Sequence, residues 1–68
     1  MIRRLNIRNI DIGDCKVYTD ISIVIENTIA RALIKDNIPE ENVINVIEKN
    51  WNDDSYEVTI YFSDKINI

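Results

Sequence analysis

Several residue types that small proteins use for stabilisation or for chemistry are scarce in this chain of 68 residues. It has no histidine, and its one cysteine, Cys15, cannot form a disulfide within the chain. Structural zinc sites and histidine-based catalysis, including Ser-His-Asp and Cys-His arrangements, are therefore excluded. Because Gly13 is the only glycine, a glycine-rich phosphate loop is excluded as well. We expect no enzyme activity, no cofactor and no metal site.

Long apolar segments are also missing. No run of apolar residues approaches the length of a membrane-spanning helix. The first residues alternate between polar and apolar types, which is not the pattern of a signal peptide. A lone cysteine without an export signal favours a reducing compartment. We therefore expect no membrane contact and a cytoplasmic location, in the host cytoplasm if the protein is viral.

The composition is that of a folded protein, since 46% of the residues are hydrophobic and 29% are charged. We expect one small α+β domain over residues 1–68. A core of this size gives only a few kcal/mol of net stability, and here no disulfide or metal adds to it. We therefore predict that the protein gains stability as a homodimer or higher oligomer.

The net charge of −4 is unevenly distributed along the chain. Residues 1–39 carry six basic and five acidic groups, whereas residues 40–68 carry two basic and seven acidic groups. The basic surface typical of nucleic-acid binding is absent from the chain as a whole, so nucleic acid is not an expected partner. The acidic half suggests instead a mimic of nucleic acid, presented by Asp53, Asp54 and Glu57.

Alternating polar and apolar residues predict two strands in the first third of the chain. Residues 2–10 form the first, and residues 15–25 form the second, with a turn around Gly13 that joins them as a hairpin. A helix that begins at Asp20 is the competing interpretation. The density of β-branched residues over 21–25 favours the strand.

From residue 26 the apolar spacing becomes helical, and a helix is predicted over 26–35, ending before Pro39. Residues 43–50 and 56–63 are predicted to form a second hairpin. The alternative is a second short helix over 39–50 in place of the third strand. The predicted fold is therefore α+β, with the order ββαββ: an antiparallel four-stranded sheet with one helix packed on one face.

One helix can cover only one face of such a sheet, and the other face is predicted to carry basic and aromatic side chains. Arginine, tyrosine and tryptophan are enriched where proteins bind each other. They also suit stacked bases and phosphates, and an ordinary solvated face would carry similar residues. The predicted partner-binding or ligand-binding residues are Arg4, Arg8, Lys16, Tyr18 and Tyr61 on this face, together with Trp51, which lies beside the acidic loop at the end of the preceding element.

These features predict a non-enzymatic small acidic interaction or regulatory protein. It is expected to act as a homo-oligomer that contacts another protein, for instance as an inhibitor of viral or mobile-element origin. A second hypothesis is a protein that binds a small anion such as a nucleotide or phosphate between subunits, through Arg4, Arg8 and Lys16. The acidic mimic described above is the third.

Overall fold

The computed structural model describes residues 1–64, which form one α-helix and three strands. The strands are β1 (Ile2–Asp11), β2 (Val43–Asn52) and β3 (Ser55–Ser63). The helix α1 (Tyr18–Lys35) follows β1, and a short 3₁₀ turn, Glu40–Asn42, leads into β2. Residues 65–68 of the expected domain lie outside the described part.

The last strand of the chain is the central strand of the sheet. β3 pairs antiparallel with β1 on one side and with β2 on the other, giving the order β1-β3-β2. β1 and β2 therefore run in the same direction and are joined through α1, which is a split β-α-β arrangement. Both outer strands have one edge that no other strand of residues 1–64 covers.

The predicted four-stranded ββαββ sheet is wrong in one element, although the α+β class agrees with the structure. The strand expected over residues 15–25 does not form, and α1 begins instead at Tyr18. Ile21, Ile25 and Ile29 recur every fourth residue, so a helix brings them to the core together. The first hairpin is absent for the same reason. The second hairpin is present, and the alternative helix over 39–50 is reduced to the 3₁₀ turn.

Both ends of α1 follow from local chemistry. At the start, the Asp20 carboxylate lies in the first turn, where a negative charge interacts favourably with the helix dipole. Asp20 Oδ2 also accepts a hydrogen bond from the Lys16 N–H at 3.4 Å. At the end, Asn37 adopts a left-handed φ of 56°. Its N–H donates to the Ile34 carbonyl and the Ile38 N–H donates to the Leu33 carbonyl, which is a Schellman motif.

An irregularity in β1 explains why the polar and apolar alternation breaks near its end. The pairing with β3 shifts between Ile7 and Ile10, and Asn9 there has a left-handed φ of 58°. Asparagine tolerates this conformation better than most residues. Because of the extra residue, Ile10 is buried although it follows Ile7 by three positions.

The core lies between α1 and one face of the sheet. Its fully enclosed side chains on β3 are Val58 and Ile60, both with 0% exposure, and α1 contributes the buried Ile25. Val58 pairs across the sheet with Ile7, and Ile60 pairs with Leu5. Alternate residues of the same three strands point the other way, and no element within residues 1–64 covers them.

Candidate functional site

The uncovered face of the sheet, called the open face below, is defined by residues that alternate with the buried ones. On β3, the outward residues Glu57, Thr59 and Tyr61 alternate with the core residues Val58 and Ile60. Their paired neighbours share the face: Arg4 pairs with Tyr61 and Asn6 with Thr59 on β1, and Asn45, Ile47 and Lys49 pair with Tyr61, Thr59 and Glu57 on β2.

Glu57 is the centre of a hydrogen-bond network on this face. Its Oε2 accepts a bond from Asn6 Nδ2 at 2.8 Å and one from Arg8 Nε at 3.2 Å. Its Oε1 accepts a bond from the indole Nε1 of Trp51 at 2.9 Å. Asn6 also donates to Thr59 Oγ1 at 2.9 Å, so the network spans all three strands. We call these residues the Glu57 network: Asn6, Arg8, Trp51, Glu57 and Thr59.

The Glu57 carboxylate is well shielded for a surface group. Its side chain is 12% exposed, whereas that of Arg8 is 72% exposed. The hydrogen bond from Asn6, followed by those from Trp51 and Arg8, holds the pKa of Glu57 below its ordinary value against a smaller opposing effect of desolvation. Glu57 is therefore ionised at neutral pH and accepts the bonds from Asn6, Arg8 and Trp51.

A cation lies over the tryptophan. Lys49 Nζ is 3.9 Å from the centroid of the Trp51 ring, within the range of a cation–π interaction. Trp51 is therefore held at two points, by Glu57 through its Nε1 and by Lys49 through one face of its ring. The side chain is still 55% exposed, so most of the contact area of the indole remains available.

The charge of the open face is opposite to that of the chain. Its charged residues are three cations, Arg4, Arg8 and Lys49, and one anion, Glu57. The chain as a whole carries a net charge of −4. The acidic residues lie mainly at turns and ends, so the open face is a basic patch on an acidic protein.

The open face brings together four of the six predicted binding residues. Arg4, Arg8, Trp51 and Tyr61 all lie on it. The expected strand that would have added Lys16 and Tyr18 is absent. Lys16 lies in the loop before α1, and Tyr18 is the first residue of α1. The anion hypothesis therefore loses the third of its three cations.

The acidic residues proposed for nucleic-acid mimicry do not share one surface. Asp53 and Asp54 lie in the β2–β3 turn, whereas Glu57 lies in the basic open face and is engaged by Arg8. Asp54 does lie beside the turn that contains Asp11 and Asp14, because the Ile12 N–H donates a hydrogen bond to the Asp54 carbonyl at 2.9 Å. Within residues 1–64, no group of three or more His, Cys, Asp or Glu side chains is arranged to hold a metal ion.

Cys15, the only thiol, lies half-buried in the loop between β1 and α1. Desolvation, followed by the charges of Asp20, Asp14 and Asp11, raises the pKa of this thiol above its ordinary value. The thiol is therefore protonated at neutral pH, and a protonated thiol is a weak nucleophile.

Three comparisons with known proteins add no relative. The chain matches no protein-family model, no curated protein and no solved structure. In the part of the chain that the structure describes, no helix is both long and apolar enough to cross a membrane. The functional argument therefore depends on the open face itself.

Reasoning from the sequence did not identify the Glu57 network. It proposes Glu57 as part of the acidic mimic, and it does not single out Asn6 or Lys49. The signal available in the sequence is that Glu57 is the only acidic residue among the outward residues of β3. That cations lie on both sides of Glu57 follows only from the strand order. Strand order is a tertiary property that the local pattern does not contain.

Proposed function

We propose that this protein is a non-enzymatic binding protein whose open face receives an acidic segment of another protein. The observation that carries the proposal is that one shielded carboxylate, Glu57, holds both Trp51 and Arg8 in place on an uncovered sheet face. Binding without chemistry would make the protein a regulator of its partner.

Fixed aromatic and arginine side chains are what a protein-binding surface requires. Tryptophan, tyrosine and arginine are the residue types that dominate the energy of protein interfaces. A mobile side chain loses conformational entropy when it is bound, and a side chain already held in place loses less. Trp51, held by Glu57 and Lys49 while remaining 55% exposed, meets this condition.

The charge of the open face indicates the chemistry of the partner. Three cations and one anion surround the aromatic residues, and the anion is already neutralised within the Glu57 network. Arg4 and Arg8 could then pair with carboxylates of a bound segment, while Trp51 and Ile47 contact its apolar side chains. Ile47 is 50% exposed on the same face. We therefore expect a segment that combines acidic and apolar residues.

Single-stranded nucleic acid is the other macromolecule that a basic face with aromatic residues could bind. The open face suits it less, because Lys49 already covers one face of the Trp51 ring and only Tyr61 remains as a second stacking residue. The net charge of −4 of the whole chain would also repel a polyanion.

The proposal can be tested with the full chain and a random peptide library displayed on phage. We expect the selected peptides to be rich in Asp and Glu, and their binding to weaken as salt is raised. Trp51→Ala should weaken binding of a selected peptide about thirtyfold, as expected for a central interface residue. Tryptophan fluorescence of the wild type gives the titration directly, and peptide anisotropy gives it for the variant.

Two variants outside the open face serve as controls. Tyr18→Ala removes an exposed aromatic residue from the start of α1, and Lys16→Ala removes a cation from the preceding loop. Both should bind the peptide as the wild type does. Equal losses in Tyr18→Ala and Trp51→Ala would disprove the assignment, and tight binding of oligo(dT) without any peptide enrichment would favour the nucleic-acid function instead.

A further inference from the structure

Helix α1 is apolar on two opposite faces. Ile25 is buried against the sheet, whereas Ile23 and Ile34 are 51% and 77% exposed. At about 100° of rotation per residue, the direction shared by Ile23 and Ile34 lies roughly 170° from that of Ile25. A helix that is apolar on both sides is usually covered on both sides. The sheet covers only one of them in residues 1–64.

The outward apolar residues follow the spacing of a helix-pairing seam. Ile23, Asn27, Ala30 and Ile34 are separated by four, three and four residues. This is the alternation of d and a positions in a heptad, with Asn27 at an a position. A small residue such as Ala30 allows close approach, and a single asparagine at an a position fixes the register between two parallel helices.

The charges beside this seam select one orientation for the second helix. In the same heptad, Glu26 occupies a g position and Arg31 the following e position. In a parallel, in-register pair, a g residue faces the e residue five positions later on the other helix, which joins opposite charges. An antiparallel pair would instead leave Glu26 facing an apolar residue.

We propose that α1 packs parallel and in register against α1 of a second copy of this chain, through a seam of Ile23, Asn27, Ala30 and Ile34. Glu26 of each copy then pairs with Arg31 of the other. The two sheets lie on the outer sides of the helix pair, so each dimer displays two open faces pointing outward. This inference is independent of the partner proposed for the open face.

A groove beside the seam fits the same arrangement. It has a volume of about 460 Å³, is lined by apolar residues including Ile29, Leu33 and Ile38, and carries Glu26 and Glu40 at its sides. In the parallel pair, Arg31 of the second copy faces this side of the helix. Its aliphatic stem would lie along the apolar lining while its guanidinium reaches the carboxylates. The acidic sides of the groove thus match a basic residue of the second copy.

Sedimentation equilibrium of the full chain measures the association. Since a single helix pair is a small interface, we expect a dimer that dissociates in the micromolar range. Ile34→Glu, which places a charge in the seam at a 77% exposed site, should be monomeric. Ile44→Glu, a matched change at a 55% exposed isoleucine on β2, should associate as the wild type does. A wild type that is monomeric at hundreds of micromolar overturns the proposal, whether or not peptides bind the open face.

A charge exchange tests the pairing without changing any of the four seam residues. Arg31→Glu alone should weaken dimerisation roughly tenfold, because the dimer contains two such exposed ion pairs and both are replaced by like charges. The double variant Glu26→Arg with Arg31→Glu should bind more tightly than Arg31→Glu alone, because opposite charges face each other again, although Glu40 keeps the recovery partial. Failure of the double variant to recover would reject the Glu26–Arg31 contact.

The orientation is tested by a cross-link. Asn27→Cys in a Cys15→Ser background places one thiol at the centre of the seam on each copy. Equal positions face each other only in the parallel, in-register pair, so oxidation should give a disulfide-linked dimer. A dimer in sedimentation that does not cross-link through position 27 would show that the copies associate by another surface or orientation.

Discussion

The two faces of this three-stranded sheet are built from alternate residues of the same strands and are held together by different forces. On the covered face, Val58 and Ile60 have no exposed surface and belong to the cluster of apolar side chains that forms the core. On the open face, Glu57 lies one residue from Val58 and collects hydrogen bonds from three side chains. The first face excludes water around apolar side chains, and the second holds polar and aromatic side chains in defined positions.

The comparison shows how a small sheet can keep apolar burial and a directional polar network on opposite faces. The stabilisation from apolar burial does not depend on the precise orientation of the side chains, but it requires that water be excluded. The Glu57 network is directional, so it holds Trp51 and Arg8 in defined positions while leaving them accessible. Because the side chains of a strand alternate between faces, one residue can be changed on either face with little effect on the other.

The sharpest test of this separation is a pair of isoleucine truncations on opposite faces. Ile60→Ala creates a cavity at a fully buried site and should destabilise the fold by about 3–4 kcal/mol. Ile47→Ala, at a 50% exposed site on the open face, should cost about 1 kcal/mol or less. Urea denaturation followed by circular dichroism measures both. For a chain this short, the first loss is most of the total stability.

Similar losses in the two variants would break the comparison. They would mean that the open face is as tightly covered as the core in solution, for example by the contact of another molecule. Repeating the denaturation at several protein concentrations in the Ile34→Glu background, in which the proposed α1 pair does not form, identifies that case, because covering by a second copy makes the unfolding midpoint depend on concentration.

The sequence pattern predicted the strands correctly where polar and apolar residues alternate and the segment pairs with another strand. β1 and the β2–β3 hairpin were predicted within a few residues, since their outward polar residues and inward apolar residues alternate clearly. Residues 18–25 were assigned wrongly because Ile21, Ile23 and Ile25 alternate as in a strand, while Ile21 and Ile25 are also four residues apart, as on one face of a helix. Burial of Ile21 and Ile25 against the sheet decides between them, and that is a tertiary effect.

The candidate site was predictable to the same extent. Arg4, Arg8 and Tyr61 could be placed on the open face because they lie on strands that were predicted correctly. The position of Glu57 between β1 and β2 required the order β1-β3-β2, which puts the last strand in the centre. A pattern read along the chain gives the face of each residue but not its neighbours across the sheet.

The next prediction sharpens the role of the polar face. Glu57→Gln removes the charge that Arg8 pairs with and leaves the core unchanged. We expect a destabilisation smaller than that of Ile60→Ala, together with greater exposure of Trp51, whose Nε1 loses a charged acceptor. The measurements are the urea midpoint and the emission maximum of the single tryptophan. An unchanged emission maximum would show that Glu57 does not position Trp51.

The effect of Glu57 should depend on pH in a defined direction. The hydrogen bonds of Asn6, Trp51 and then Arg8 lower the pKa of Glu57 in the folded state. Its contribution to stability is therefore complete above the ordinary glutamate pKa of about 4.3 and is lost as the pH falls through the lower, folded value. The stability difference between the wild type and Glu57→Gln should thus disappear in acid. A difference that grows on acidification would contradict the assignment.

The smallest expected effect concerns Lys49. Its ammonium group lies 3.9 Å from the centroid of the Trp51 ring, and an exposed cation–π contact of this kind contributes about 0.5 kcal/mol. Lys49→Gln should therefore shift the urea midpoint only slightly, but it should alter the tryptophan emission because the ring loses the group that covers one face. Lys16→Gln, in the loop before α1, is the matched control and should change neither quantity. An emission spectrum that Lys49→Gln leaves unchanged would contradict the role of Lys49 and would mean that Glu57 alone holds Trp51 on the open face.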